Sequence, residues 1–291
     1  MAVGLALCGG ASALGLDVIN YSNTIHDRFV PGSYPSSPTN NPDFWFASLN
    51  WSGVGWNTND PRKSVAMISP THFVAAAHFG LGGGDSLSFL GTNGQRMTFS
   101  VSSTVNMLQD PVTGSNSDLY IGELTAAIPA ASNIMSYALM SLPSTNSYVN
   151  LPLLVYGYAP QGGVGANPAV GMKVGTNVLG GFDSFLGNTV FWYDQDPVTG
   201  EAYGQAGDSG SPTFTLVGST LALLGTHYLI GTEEGNDATY DTFAPSYLTQ
   251  IQSILQADGY SLLVIPEPAS LLAMVLGAGV VAWLRRRTSG R

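Results

Sequence analysis

Gly204-Gln205-Ala206-Gly207-Asp208-Ser209-Gly210-Ser211-Pro212 is the stretch on which the reading of this chain turns. A serine stands between two glycines, with an acid before it and a proline closing the turn. Two other stretches precede it. One is Ser69-Pro70-Thr71-His72-Phe73-Val74-Ala75-Ala76-Ala77-His78; the other is Ser117-Asp118-Leu119-Tyr120-Ile121-Gly122-Glu123-Leu124. In the order His, Asp, Ser they supply a base, a carboxylate to orient it and a nucleophile.

The chemistry accounts for the residue types. A serine hydroxyl is a weak nucleophile at neutral pH and needs a base within hydrogen-bond reach. Histidine titrates near neutrality, so it can take the hydroxyl proton and return it to the leaving group. A buried carboxylate sets the imidazole tautomer and stabilises the imidazolium. The oxyanion of a tetrahedral intermediate needs preorganised N–H donors, and the main-chain N–H groups of Gly207 and Ser209 are the candidates. Gly207 has no Cβ to penalise the positive φ that such a turn demands.

On these residues the chain resembles the trypsin/chymotrypsin-like serine proteases. Ala76-Ala77-His78 is similar to the segment around the family's catalytic histidine, Asp118-Leu119 to the start of its aspartate strand, and Gly207–Pro212 to its nucleophile loop. The spacings, 40 residues from His78 to Asp118 and 91 from Asp118 to Ser209, suit that family. The resemblance covers roughly residues 45–258 and implies His78 as general base, Asp118 as orienting acid and Ser209 as nucleophile. It also implies two six-stranded antiparallel β-barrels followed by a C-terminal helix, with the site in the cleft between them.

The departures from the family pattern are specific. Ser211 replaces the second glycine of the nucleophile loop, a variant typical of bacterial glutamyl-endopeptidase-like branches. Ala75 replaces the usual Thr or Ser before Ala-Ala-His. No Ile-Val-Gly-Gly-type start precedes the first barrel, which leaves the partner of Asp208 open. Tyr203 stands where trypsin keeps its specificity acid, so cleavage after Lys or Arg is not expected. Leu223-Leu224-Gly225-Thr226-His227-Tyr228 resembles the Ile-Gly-Ile-His segment of glutamyl endopeptidases. His227 would then line the specificity pocket beside Tyr203 and hold a substrate glutamate; the alternative is a histidine bonded locally on a barrel strand.

Composition narrows the field. The chain has 291 residues, 36 glycines, 17 prolines and only 10% charged residues, a makeup that favours short strands and many turns. Its net charge of −10 leaves no basic patch to neutralise phosphates, which argues against nucleic acid as a partner. The one cysteine, Cys8, lies in the apolar N-terminal stretch, so a thiol mechanism or a disulfide framework is excluded. No transition-metal ligand spacing or phosphate-cradling glycine loop is present, and no cofactor or metal is expected. His26 and His72 read as structural histidines. Glu233, Glu234 and Asp237 share a Gly-containing loop that reads as a solvated turn rather than a calcium site.

Between the ends the pattern is β. Phe44–Trp51, Ser64–Ile68, Ser86–Leu90, Arg96–Met107 and Asp118–Leu124 read as strands of a first unit. Tyr148–Tyr158, Val170–Val178, Thr189–Tyr193, Thr213–Val217 and Leu221–Leu229 read as strands of a second. Gln-Asp-Pro-Val-Thr-Gly occurs at 109–114 and again at 195–200 and reads as two similar turns. Ser246–Asp258 reads as a helix stopped by Gly259. The expected organisation is a signal peptide at 1–16, an N-terminal extension at 17–44, a first barrel at 45–124 and a linker at 125–147. A second barrel with its helix follows at 148–262, and a sorting tail at 263–291.

Both ends read as export signals. Met1–Leu16 is apolar and rich in small residues, with Ala11-Ser12-Ala13 fitting a signal-peptidase site, although the first cation is Arg28. At the other end Pro266-Glu267-Pro268 precedes an apolar run, Ala269–Leu284, and then Arg285-Arg286-Arg287. This resembles the PEP-CTERM sorting signal that bacteria pair with an exosortase. The run is 16 residues, about 24 Å as a helix and slightly short of a hydrocarbon core of about 30 Å. The arginines would stay cytoplasmic and the folded domain would lie outside. The resemblance implies processing near Pro266–Pro268 and delivery from the inner membrane to the surface of a Gram-negative-type cell; a permanent anchor is the alternative. The function expected from all of this is an exported serine endopeptidase acting on protein or peptide. A catalytically silent surface-binding module on the same scaffold and a structural matrix protein are the alternatives.

Overall fold

A computed structural model of the chain describes residues 16–160, 170–233 and 235–266. All of the expected signal peptide 1–16 except Leu16, the sorting residues Glu267 and Pro268, the apolar run after them and Glu234 lie outside the described residues. No helix among the described residues is long and apolar enough to cross a membrane.

The chain enters through a short strand β1 (Asp17–Val18) and a single helical turn α1 (Asn23–His26). Six strands follow: β2 (Val54–Asn57), β3 (Ser64–Met67), β4 (His72–Ala76), β5 (Ser86–Leu90), β6 (Arg96–Gln109) and β7 (Asn116–Leu124). They close into a barrel in the order β2-β3-β4-β7-β6-β5, with the last pairing made by Trp56 opposite Ser88. The interior is filled by Val65, Met67, Phe73, Leu87, Phe89, Val101 and Tyr120. Closure leaves no free edge for the long strand β6 to expose.

The second unit contains β8 (Ala138–Ser141), β9 (Pro152–Pro160), β10 (Val170–Val178), β11 (Gly181–Phe185), β12 (Asn188–Asp194), β13 (Ala202–Tyr203), β14 (Pro212–Val217), β15 (Thr220–Glu233) and β16 (Asn236–Phe243). Helix α2 (Leu248–Ala257) and a last strand β17 (Val264–Pro266) complete it. A closed six-stranded barrel was expected here; the structure has a nine-stranded sheet, ordered β10-β9-β14-β15-β16-β12-β11, with β8 and β17 attached beside β15. The outer edge of β10 is occupied otherwise. Arg28 N–H donates to Met172 O at 2.8 Å, Asp27 bridges Lys173, and Thr176 N–H donates to Gly200 O at 2.8 Å. The N-terminal segment and the chain before β13 thus cover the edge that barrel closure would have used.

Other expectations shift for local reasons. Phe44–Trp51 is a run of turns, not a strand: Ala47 N–H donates to Phe44 O and Leu49 N–H to Phe46 O. Its aromatics are there for the core, since Phe44 and Trp51 are both buried. The hairpin of β15 and β16 runs out to Glu233 opposite Asn236, where sequence suggested a loop. The stretch read as a linker contributes β8, which pairs in parallel with β15 and β17.

The largest core cluster crosses between the units. It joins Phe29, Tyr34 and Trp51 of the N-terminal segment, Trp56 and Val74 of the barrel, Tyr156 and Phe214 of the sheet, and Ile251 and Leu255 of α2. Trp51 stacks on Tyr156 and meets Phe214 edge-on, at 5.6 and 5.7 Å between centroids. Burying side chains of this size contributes about 2–3 kcal/mol each. The two units are therefore locked at their shared face, which fixes how the elements carrying His78, Asp118 and Ser209 sit relative to one another.

Candidate functional site

His78 lies in a 3₁₀ turn (Ala77–Phe79) directly after β4, and Asp118 lies on the neighbouring strand β7. The register places Ala76 opposite Leu119, so the two strands deliver the imidazole and the carboxylate side by side. His78 main-chain N–H and its ring Nδ1 each donate to the Asp118 carboxylate at 2.9 Å. Asp118 is buried while the His78 side chain is 39% exposed, so the pair has one dry partner and one open to solvent. The second unit supports it. Asp118 N–H donates to Asn188 Oδ1 at 2.6 Å, and the Tyr228 ring lies edge-on to His78 at 5.9 Å. Burial, followed by the Asp118 charge, raises the Tyr228 pKa. Neither was singled out from sequence: Asn188 lies outside every motif, and Tyr228 ends the segment read for its neighbour His227.

The loop 204–212 is held from both sides. Asp208 N–H donates to Gln205 O at 3.0 Å and Ser211 N–H to Asp208 O at 2.9 Å, a tight turn with Gly207 at φ +106° and Gly210 at φ +82°. Gly210 N–H donates to His227 O, and His227 N–H to Ser211 O, which fastens the loop to β15. The loop also meets the first barrel. Ser211 Oγ shares a hydrogen bond with Ser64 Oγ at 2.8 Å, and a methyl group at Gly210 would lie 3.3 Å from Ala76 N. The departure at Ser211 thus has a physical role: its hydroxyl ties the loop to β3. Ser209 lies partly buried between these two fastenings, on the loop that abuts the residue two positions before His78.

Asp208 is buried, and its carboxylate accepts N–H bonds from Tyr158 at 2.8 Å and Gln205 at 2.9 Å. Burial pushes its pKa up to about 6, against the opposing pull of His227, the two N–H donors and Lys173. The partners of Asp208 left open by the sequence are therefore these two main-chain N–H groups; Lys173 acts on it only through its charge. Lys173 is buried, and its ammonium donates to Leu16 O at 2.8 Å and lies over the Tyr21 ring. Burial lowers its pKa, opposed by the charges of Asp208, Asp27 and Asp17.

The expected specificity residues are placed differently. His227 is buried on β15 with both ring nitrogens committed, Nδ1 to Asp241 Oδ1 at 2.7 Å and Nε2 to Tyr156 O at 3.0 Å. It has no donor to offer a substrate carboxylate, so its role as a glutamate-binding residue is corrected: it is the locally bonded strand histidine. Burial alone would lower its pKa, but Asp241, Asp208 and the Tyr156 carbonyl raise it. Tyr203 is buried in β13 opposite Asp17. His26 is structural, accepting from Ser22 N–H and packed edge-on to Trp45.

No protein-family model and no curated protein matches the chain. Among solved structures it is similar to a double mutant of human heparin binding protein (CAP37), with a TM-score of 0.55 and 15% identity over 80% of this chain and 97% of that one. The fold is chymotrypsin-like. In that chymotrypsin-like frame the closed barrel carries His78 and Asp118, and the sheet carries the loop of Ser209.

Proposed function

We propose that the chain is an exported serine endopeptidase that cleaves peptide bonds through an acyl-enzyme. The observation that carries this reading is the His78–Asp118 pair, joined by two 2.9 Å hydrogen bonds, with the Gly-Asp-Ser-Gly turn seated against the strand that leads to His78. With Nδ1–H given to Asp118, Nε2 keeps its lone pair and serves as the base for Ser209. Ser209 attacks the carbonyl carbon, His78 takes its proton and passes it to the leaving amine, and water then releases the acyl group by the same steps in reverse. This reading assigns the main-chain N–H groups of Gly207 and Ser209 to the developing oxyanion; a donor of this kind is worth about 3 kcal/mol of barrier. Tyr203, uncharged and buried, gives no counter-ion to a Lys or Arg side chain.

Export and sorting belong to the same proposal. Leu16 is buried, its N–H donates to Tyr158 O and its carbonyl accepts from Lys173, so a signal peptidase cutting after Ala13 would leave the fold intact where one cutting after Leu16 would not. Pro266 ends β17, and the tail beyond it would be taken by an exosortase-type enzyme after insertion in the inner membrane.

A silent binding module is the second reading, favoured by a similar structure named for heparin binding. A net charge of −10 opposes carrying that ligand over, because a polyanion requires clustered cations. A fluorophosphonate probe separates the two readings. Labelling of the wild type, absent in Ser209→Ala and in wild type treated with an active-site inhibitor, supports the protease; an unlabelled folded wild type overturns it.

A further inference from the structure

His72, Glu123 and Asp258 converge from three elements at the far end of the two strands that carry His78 and Asp118. His72 opens β4, Glu123 lies directly opposite it on β7, and Asp258 caps the C-terminal end of α2. Their ligand atoms all lie within 4.8 Å of one another: His72 Nε2 is 2.9 Å from Asp258 Oδ2 and 3.9 Å from Glu123 Oε1. We infer that this cluster is a site for a divalent transition ion of the zinc type, clamping the end of α2 onto the barrel.

Four features support it. First, the His72 ring is fully buried yet directs Nε2 at two carboxylates, and its other nitrogen is held by Ser69 Oγ at 2.7 Å and Thr71 Oγ1 at 2.9 Å. A ligating imidazole is oriented in this way by a partner on its second nitrogen. Second, Asn106 Nδ2 donates to Glu123 Oε1 at 2.9 Å, fixing that carboxylate too. Third, the two carboxylates are placed together without a Lys or Arg ion pair among the described residues, and Asp258 adds its charge to the negative end of a helix. Both placements cost free energy that a bound cation offsets. Fourth, one nitrogen and two carboxylate donors match zinc, whose ligands lie about 2.0–2.2 Å from the ion, rather than calcium, which takes six to eight oxygens. The Asp258 side chain is 49% exposed, so water reaches the fourth position. The donors are 51 and 135 residues apart along the chain, which is why no motif spacing revealed them.

The test is calorimetric titration of the chelator-stripped full-length chain with Zn²⁺, alongside Asp258→Asn, Glu123→Gln and Ser69→Ala, with folding checked by circular dichroism. The expected result is one tight equivalent in the wild type and a thermal midpoint that rises with Zn²⁺. Asp258→Asn and Glu123→Gln should weaken binding by at least about 100-fold and Ser69→Ala by about 10-fold, the range for losing a ligand's support. Asp258 is half exposed at a helix end, so its variant tests the site even if a His72 variant fails to fold. Equal Zn²⁺ uptake by the wild type and both carboxylate variants would overturn the site. So would a wild type that takes up none, or an Asp258→Asn destabilisation identical with and without Zn²⁺, which marks a hydrogen-bonded ion cluster alone. None of these readouts depends on peptidase activity.

Discussion

His78 gives both its main-chain N–H and its ring Nδ1–H to the carboxylate of Asp118, each at 2.9 Å. One side chain therefore fixes the backbone turn after β4 and the tautomer of the imidazole together. Asp118→Asn puts an amide where the charge was and is expected to lower kcat/KM by about 10⁴, the scale seen when a triad carboxylate is neutralised. The fold should persist, because the Asp118 N–H bond to Asn188 is untouched. Steady-state kinetics on a peptide library, with a thermal melt as control, checks both parts.

Gly210 holds φ +82°, and a methyl group there would meet Ala76 N at 3.3 Å and Ala76 Cβ at 3.5 Å. Gly210→Ala should cost about 1–3 kcal/mol of stability from the backbone conformation. It should also push the loop off β4, so activity falls further than stability alone explains. Urea unfolding and kinetics on the same preparation separate the two effects.

His227 and Asp241 form a buried pair at 2.7 Å, and Asp241 is fully buried. His227→Gln leaves that carboxylate without its cationic partner and is expected to cost about 3–5 kcal/mol. If the proposed peptidase activity is present, any residual folded protein should keep its preference at the residue before the cut, because both ring nitrogens are bonded inside the fold. A changed preference with unchanged stability would show that His227 does reach the specificity pocket.

Asp208 has its pKa raised by burial to about 6, above its ordinary value of 3.8. Between these values the folded chain holds the proton and the unfolded chain does not. The contribution is therefore full below pH 4 and is lost as pH rises through 6, amounting to about 3 kcal/mol. Asp208→Asn should flatten the stability profile between pH 4 and 6 relative to wild type, measured by chemical denaturation across that range.

Gln-Asp-Pro-Val-Thr-Gly shows how far the sequence could be read. Both copies were legible as turns. In the first, Asp110 is buried and accepts bonds from Val112 N–H, Thr113 N–H, Thr189 N–H and the Tyr247 hydroxyl, joining barrel to sheet. Those bonds hold its pKa down despite burial. In the second, Asp196 is exposed. Identical residues gained different roles because their neighbours come from elsewhere in the chain. The same holds for Asn188, which no local pattern marks, for Tyr228, whose segment was read for its neighbour, and for His227, whose motif suggested a pocket and whose packing closes it.

The chain's own order of residues determined that it would be β-rich and would present a His, an Asp and a Ser at strand ends and turns with the right local chemistry, because turn glycines, strand alternation and motif types act over a few residues. Tertiary structure decided what those residues face. It opened the second barrel into a nine-stranded sheet, since the N-terminal segment took the edge of β10. It also turned the His227 ring inward and brought His72, Glu123 and Asp258 together. Contacts between residues far apart in sequence are made by packing and register, and these exist only once the chain has folded.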